Sequence, residues 1–181
     1  MISIHRRVLV LIGAAMLAGC AGTYSLREGE PKAYVRLRAT GDEPTFFRHI
    51  PEPLCPEATV NRLAAFAMPF GEQLSEIRML GSTGQPSRYV YERAVTAGKP
   101  FHMLVYSQEI STAYNPGYSC HVGVKVTFQP EHHYEVTYEQ ERSSCRVRVW
   151  ELTQAGSDVQ KHPVRNAQYF QARSAKDFCG R

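Results

Sequence analysis

His121, Glu131, His132 and His133 lie close together in the chain and carry the ligand types of a zinc site, because neutral imidazole is a common metal ligand. Successive residues of a turn point to opposite sides, and a solvated polar turn accounts for the same pattern, so no metal is assigned. Serine chemistry fares no better. The serines of "GSTG", "YSQ", "GYSC" and "RSSC" do not match the strand-to-helix G-x-S-x-G elbow of a serine nucleophile. Ser82, in a glycine loop, comes nearest. The acidic residues form no pair that spacing alone assigns to general acid–base work. No catalytic residue and no cofactor is therefore assigned, and the chain reads as a non-enzyme. Arg36 and Arg38 fall on one side of one stretch, and Arg146, Arg148 and Trp150 on one side of another. Guanidinium forks so placed could bind an anion, phosphate or carboxylate. Pairing of Arg146 and Arg148 with Glu135, Glu139 or Glu141 across neighbouring strands is the simpler use of the same charges. Tyr89, Tyr91, Tyr106, Tyr114 and Tyr118 could line a binding surface but are also ordinary strand residues.

The chain opens Met1-Ile-Ser-Ile-His-Arg-Arg and then runs apolar from Val8 to Ala18. A short basic region before a short uncharged stretch is the layout of a signal peptide, too short for the roughly 20 apolar residues of a membrane-spanning helix. At its end, Leu17-Ala18-Gly19-Cys20 resembles the lipobox of bacterial lipoproteins. The resemblance implies cleavage before Cys20 and acylation of that cysteine, with the membrane as a partner through the lipid anchor. Ala21 stands where an aspartate would, by resemblance to enteric lipoproteins, favour retention at the inner membrane. This implies the outer membrane, with the domain facing the periplasm or the cell surface.

Removal of residues 1–19 leaves 162 residues with 19 basic and 17 acidic side chains, a length that suits one domain. So balanced a charge gives no reason to expect a nucleic-acid partner. Residues 20–31, small, polar and glycine-containing, read as a flexible tether, and residues 32–181 as the folded domain. The apolar pattern there is mostly twofold, with strands at Tyr34–Arg38 and Phe46–Ile50 and a hairpin of "RYVYERAV" and "PFHMLVYS" around Gly98. "CPEATVNRLAAFAMP" is the best helix candidate, with Pro56 at its start and Val60, Leu63, Ala64 and Ala67 on one side. Residues 71–86 fit either a second short helix or an edge strand. The expected fold is an antiparallel β-sandwich, immunoglobulin- or transthyretin-like, with one or two short helices.

The stretch from Cys120 to Trp150 reads as a three-stranded meander. Cys120, Val122, Val124, Val126 and Phe128 share one face, Tyr134, Val136 and Tyr138 continue it, and a turn or bulge at "QERSS" shifts the inward set to Cys145, Val147 and Val149. Both cysteines then lie at one end of the sheet, which predicts a Cys120–Cys145 disulfide and, by remainder, Cys55–Cys179. Links from Cys55 to Cys120 or Cys145 would demand another strand order. With Cys20 acylated, the four remaining cysteines pair completely, as an oxidising compartment favours. The expected function is a non-catalytic, membrane-anchored envelope lipoprotein that serves as a structural or protein-interaction module, with an envelope protein as partner. A glycan- or amphiphile-binding module is the alternative, and an envelope hydrolase the more distant one.

Overall fold

The computed structural model of the chain describes residues 22–52, 60–67, 70–108, 119–141 and 144–179. Ten strands form two five-stranded sheets packed face to face. They are β1 (Lys32–Thr40), β2 (Thr45–Ile50), β3 (Asn61–Phe66), β4 (Val90–Thr96), β5 (Pro100–Gln108), β6 (Ser119–Thr127), β7 (His133–Glu141), β8 (Ser144–Ala155), β9 (Asp158–Pro163) and β10 (Gln168–Gln171). One sheet has the order β4-β1-β7-β8-β9 and the other β10-β6-β5-β2-β3. Within the sheets β1 and β7 pair in parallel and every other strand pair is antiparallel. The fold is the expected β-sandwich.

Alternation builds the core. Ala33, Val35, Leu37 and Ala39 of β1, with Tyr134, Val136 and Tyr138 of β7 and Val147 and Val149 of β8, face Phe101, Met103 and Val105 of β5 and Val124 and Val126 of β6. The register of β7 and β8 pairs Val136 with Val149 and Tyr138 with Val147. Because Glu141 pairs with Ser144, even-numbered residues of β7 oppose odd-numbered residues of β8. The turn alone thus accounts for the shift of the inward set.

Two expected hairpins are corners between the sheets instead. β4 lies in one sheet and β5 in the other. Gly98, at φ 77°, turns the chain between them and donates its N–H to Phe128 O. Likewise β6 and β7 do not pair, so the three-stranded meander is a single strand of one sheet followed by a hairpin of the other. The Cys120–Cys145 disulfide nonetheless forms, with Cα atoms 6.0 Å apart, and it joins the two sheets rather than two strands of one sheet. Apolar parity reports which side of a strand is inside. It is the same whether the next strand lies alongside or across the core.

The helix expected in residues 55–69 is contradicted where the chain is described, since Asn61–Phe66 is the edge strand β3. Its register against β2 steps from Phe47↔Ala64 to Arg48↔Arg62, leaving Leu63 as an extra residue. Leu63 and Ala64 therefore both enter the core, and two adjacent inward residues imitate helical spacing. Among the described residues there is no α-helix, only one 3-10 turn at Ala175–Phe178. Residues 71–86 form neither helix nor edge strand but an irregular segment held by the isolated bridge Gln73↔Ser87. This segment covers the open edge of β4: Glu76 N–H donates to Glu92 O, and Ser75 Oγ accepts from Glu92 N–H.

The stretch read as a tether is likewise part of the domain from Gly22 onward. Thr23 bridges Arg62 of β3 in parallel, with Arg62 N–H donating to Gly22 O and Tyr24 N–H to Arg62 O. Tyr24 is 5% exposed and its hydroxyl meets both the N–H and the Oγ1 of Thr96. The side chain closes the gap between the β3 and β4 edges, which composition alone does not show.

A second apolar cluster lies on the outer side of the β10-β6-β5-β2-β3 sheet. Phe178 of the 3-10 turn packs there on Ile50, Leu104 and Ala172, with Phe170 of β10 edge-on at 4.9 Å. Gly123 of β6 admits Phe170: a Cβ at that position would lie 2.4 Å from the ring.

Candidate functional site

The outer side of the β4-β1-β7-β8-β9 sheet carries a layer of charge. Alternation that turns Val35 and Leu37 inward turns Arg36 and Arg38 outward, and the register aligns Arg36 with Glu92 on β4 and Glu135 on β7. Arg36 Nε donates to Glu92 Oε1 at 2.7 Å, and its Nη1 lies 3.5 Å from Glu135 Oε2. Lys161 of β9 reaches Glu135 Oε1 at 2.5 Å. Arg38 adds its charge at 3.6 Å.

Main chain covers this layer. Met79 N–H donates to Glu92 Oε2 and Arg36 Nη2 donates to Leu80 O, while Gly81 approaches the Val159 side chain of β9. Glu92 and Glu135 are consequently 1% exposed. Burial opposes ionisation of Glu135, but Lys161, Arg38 and Arg36 outweigh it and hold the carboxyl below the usual carboxylate range. So held, Glu135 is a poor proton donor and a weak base at neutral pH. The layer works as internal neutralisation, in which each buried charge has a partner.

The four arginines singled out by spacing share this face. Arg36 is buried in the layer and Arg38 half-buried at its margin. Arg148 pairs with Glu139 at 3.7 Å, and Arg146 is exposed opposite Glu139 in the register. Arg36 is thereby committed to carboxylates inside the layer, whereas Arg146 keeps its guanidinium at the surface. Glu92 and Lys161 were not singled out, because β1–β4 and β8–β9 pairings of distant residues bring them in.

The histidines are dispersed. His132 Nδ1 lies 2.6 Å from Glu151 Oε1, His133 stacks on Tyr34, and His121 stacks on Tyr106. No three His, Cys, Asp or Glu side chains gather as metal ligands among the described residues. Ser82 Oγ accepts the N–H of Gly84 in its own turn. Phe46, Tyr106 and His121 form a row across β2, β5 and β6, with interplanar angles of 19° and 12°. Their faces are turned to one another rather than outward. Tyr89 donates to Asp42 and Tyr91 to Glu76. Cys179 is disulfide-bonded, whereas Cys20, Cys55, Tyr114 and Tyr118 lie outside the described residues.

A cleft of about 340 Å³ opens where the N-terminal segment meets β2 and β5, lined by Tyr24, Arg27, His49, Glu52, Lys99 and His102 among others. His49 is held between the rings of Tyr24 and Phe101, at centroid distances of 4.9 and 4.5 Å. Burial, with the positive surroundings of His102, Lys99 and Arg93, lowers its pKa to about 4. Burial likewise lowers that of His102. Both imidazoles are thus neutral at pH 7, when His49 Nδ1 and His102 Nε2 are buried without hydrogen-bond partners among the described residues. The cleft is polar, with Arg27 and Lys99 balanced by Glu30 and Glu52, and no nucleophile with an adjacent base is described within it. No family model matches the chain, and no curated protein is significantly similar to it.

Proposed function

We propose that the protein is a non-catalytic lipoprotein of the bacterial outer membrane, anchored through acylated Cys20, whose periplasm-facing domain serves as a structural or protein-interaction module. The observation that carries this reading is Leu17-Ala18-Gly19-Cys20 at the end of an apolar run preceded by Arg6 and Arg7. A sandwich whose sheets are joined by Cys120–Cys145 suits an oxidising compartment. The charge layer supports a module that presents a surface rather than one that turns over a substrate, because its carboxylates are committed to Arg36, Arg38 and Lys161. Several acyl chains on one cysteine anchor a water-soluble domain firmly, since each buried CH₂ contributes about 0.8 kcal/mol.

The anchor is tested by metabolic labelling with a palmitate analogue followed by membrane fractionation. The wild-type chain should take up label and sediment with outer membrane, and Cys20→Ser should take up none and keep its signal peptide. Unlabelled wild-type protein, or Cys20→Ser processed and membrane-bound as before, refutes the reading. Crosslinking in living cells, with recovery of one envelope protein by the wild type and not by the unacylated variant, tests the partner.

A further inference from the structure

Chain between the anchor and the fold is almost absent. Gly22 and Tyr24 are hydrogen-bonded to Arg62 of β3, and Arg93 Nη2 of β4 donates to Tyr24 O at 2.6 Å. The Arg93 guanidinium also stands 4.9 Å over the Tyr24 ring. The N-terminal segment is thus fixed to both sheet edges from Gly22 onward. Cys20 precedes Gly22 by two residues, a reach of at most about 7 Å.

We infer that the bilayer surface itself is the first contact surface of this domain: the β3–β4 side, with Thr23 at its centre and the segment that covers β4 beside it, rests on the lipid headgroups, and the β9–β10 edge points away. The inference rests on acylation of Cys20. With that bond made, slack is too short for the domain to lift off or roll over. The exposed side chains Arg27 and Arg62 line the concavities on either side of Thr23, and guanidinium groups there suit headgroup phosphates. Glu52 and Glu72 line the same concavities, so attachment, not a basic patch, fixes the orientation. β4 and β9 are the two edges of a five-stranded sheet, which places them about 19 Å apart at the usual strand spacing. A protein partner of this domain must therefore reach to within a domain's thickness of the membrane.

The test places the photocrosslinker p-benzoylphenylalanine at Arg62, or at Gln160 of β9, in the full-length acylated chain in cells, both being exposed positions. A second version of each carries a 20-residue Gly/Ser spacer after Ala21, with a typical span of about 25 Å. Phospholipid adducts should form from position 62 and not from position 160, and the spacer should abolish them. Equal adducts from both positions, or adducts from position 62 that survive the spacer, overturn the inference while the acylated chain remains membrane-bound. A chain without acyl label overturns the anchor reading itself, and this inference with it.

Discussion

Folding changes the ionisation of His49. Its pKa falls from 6.5 to about 4 because burial between Tyr24 and Phe101 opposes the charged form. Below pH 6.5 the unfolded chain takes up a proton that the folded chain refuses. Stability is thus full above pH 6.5 and declines as pH falls toward 4, by at most about 3 kcal/mol. Urea unfolding of His49→Gln should show a flatter pH dependence in that window than wild type. An unchanged profile would mean that His49 is not the group responsible. Glu135, held ionised by Lys161, Arg38 and Arg36 despite burial, acts in a separate window. Its contribution is present above the ordinary carboxylate pKa and is lost as pH drops below it. Arg36→Met strands the buried carboxylate of Glu92, while Glu135 keeps Lys161 and Arg38, and should destabilise by about 3 to 5 kcal/mol. Adding Glu92→Leu should recover part of that loss in the same denaturation assay, as expected when an uncompensated charge is the main penalty.

The elements obey alternation wherever a strand has one face inside. β1, β5, β6 and β7 were therefore legible, as was the inward shift between Tyr138 and Val147. β3 was not, because the register step at Leu63 places two neighbours in the core. The charge layer was legible only in kind. Arginines facing outward on β1 and β8 call for carboxylates on adjacent strands, but Glu92 is identified only by the β1–β4 pairing, which spacing does not reveal. The docking of the N-terminal segment is not legible in composition, because main-chain bonds to Arg62 and one buried tyrosine carry it. Tyr24→Ala should lower stability by about 3 to 5 kcal/mol by emptying the gap between the edges. Hydrogen exchange should quicken in β3 and β4 more than in β7. At the opposite edge, Gly123→Ala forces Phe170 away from β6. A loss of about 1 to 3 kcal/mol is expected, with Phe170→Leu relieving it.

At the scale of the molecule, the Cys120–Cys145 bond closes a loop of sequence separation 25 and fastens one sheet to the other. Loop entropy assigns it about 3.5 kcal/mol. Cys120→Ser/Cys145→Ser should lower the chemical denaturation midpoint accordingly while the slope stays near that of the wild type. A midpoint equal to wild type would show that side chains such as Tyr138, hydrogen-bonded to Ser107 across the core, suffice to hold the sheets together.

The position of β1 also sets the timing of folding. Its neighbours are β4, from residues 90–96, and its parallel partner β7, from residues 133–141. Synthesis from the N-terminus delivers β1 long before either neighbour. Val35 and Leu37 have no complete sheet to join until Glu141 has followed. Such distant pairings make the search slow and leave apolar strand exposed meanwhile. The sheet is thereby kept from closing until residue 141 has been made, and a nascent fragment ending at Gln129 should be degraded by protease at a concentration that the full chain survives.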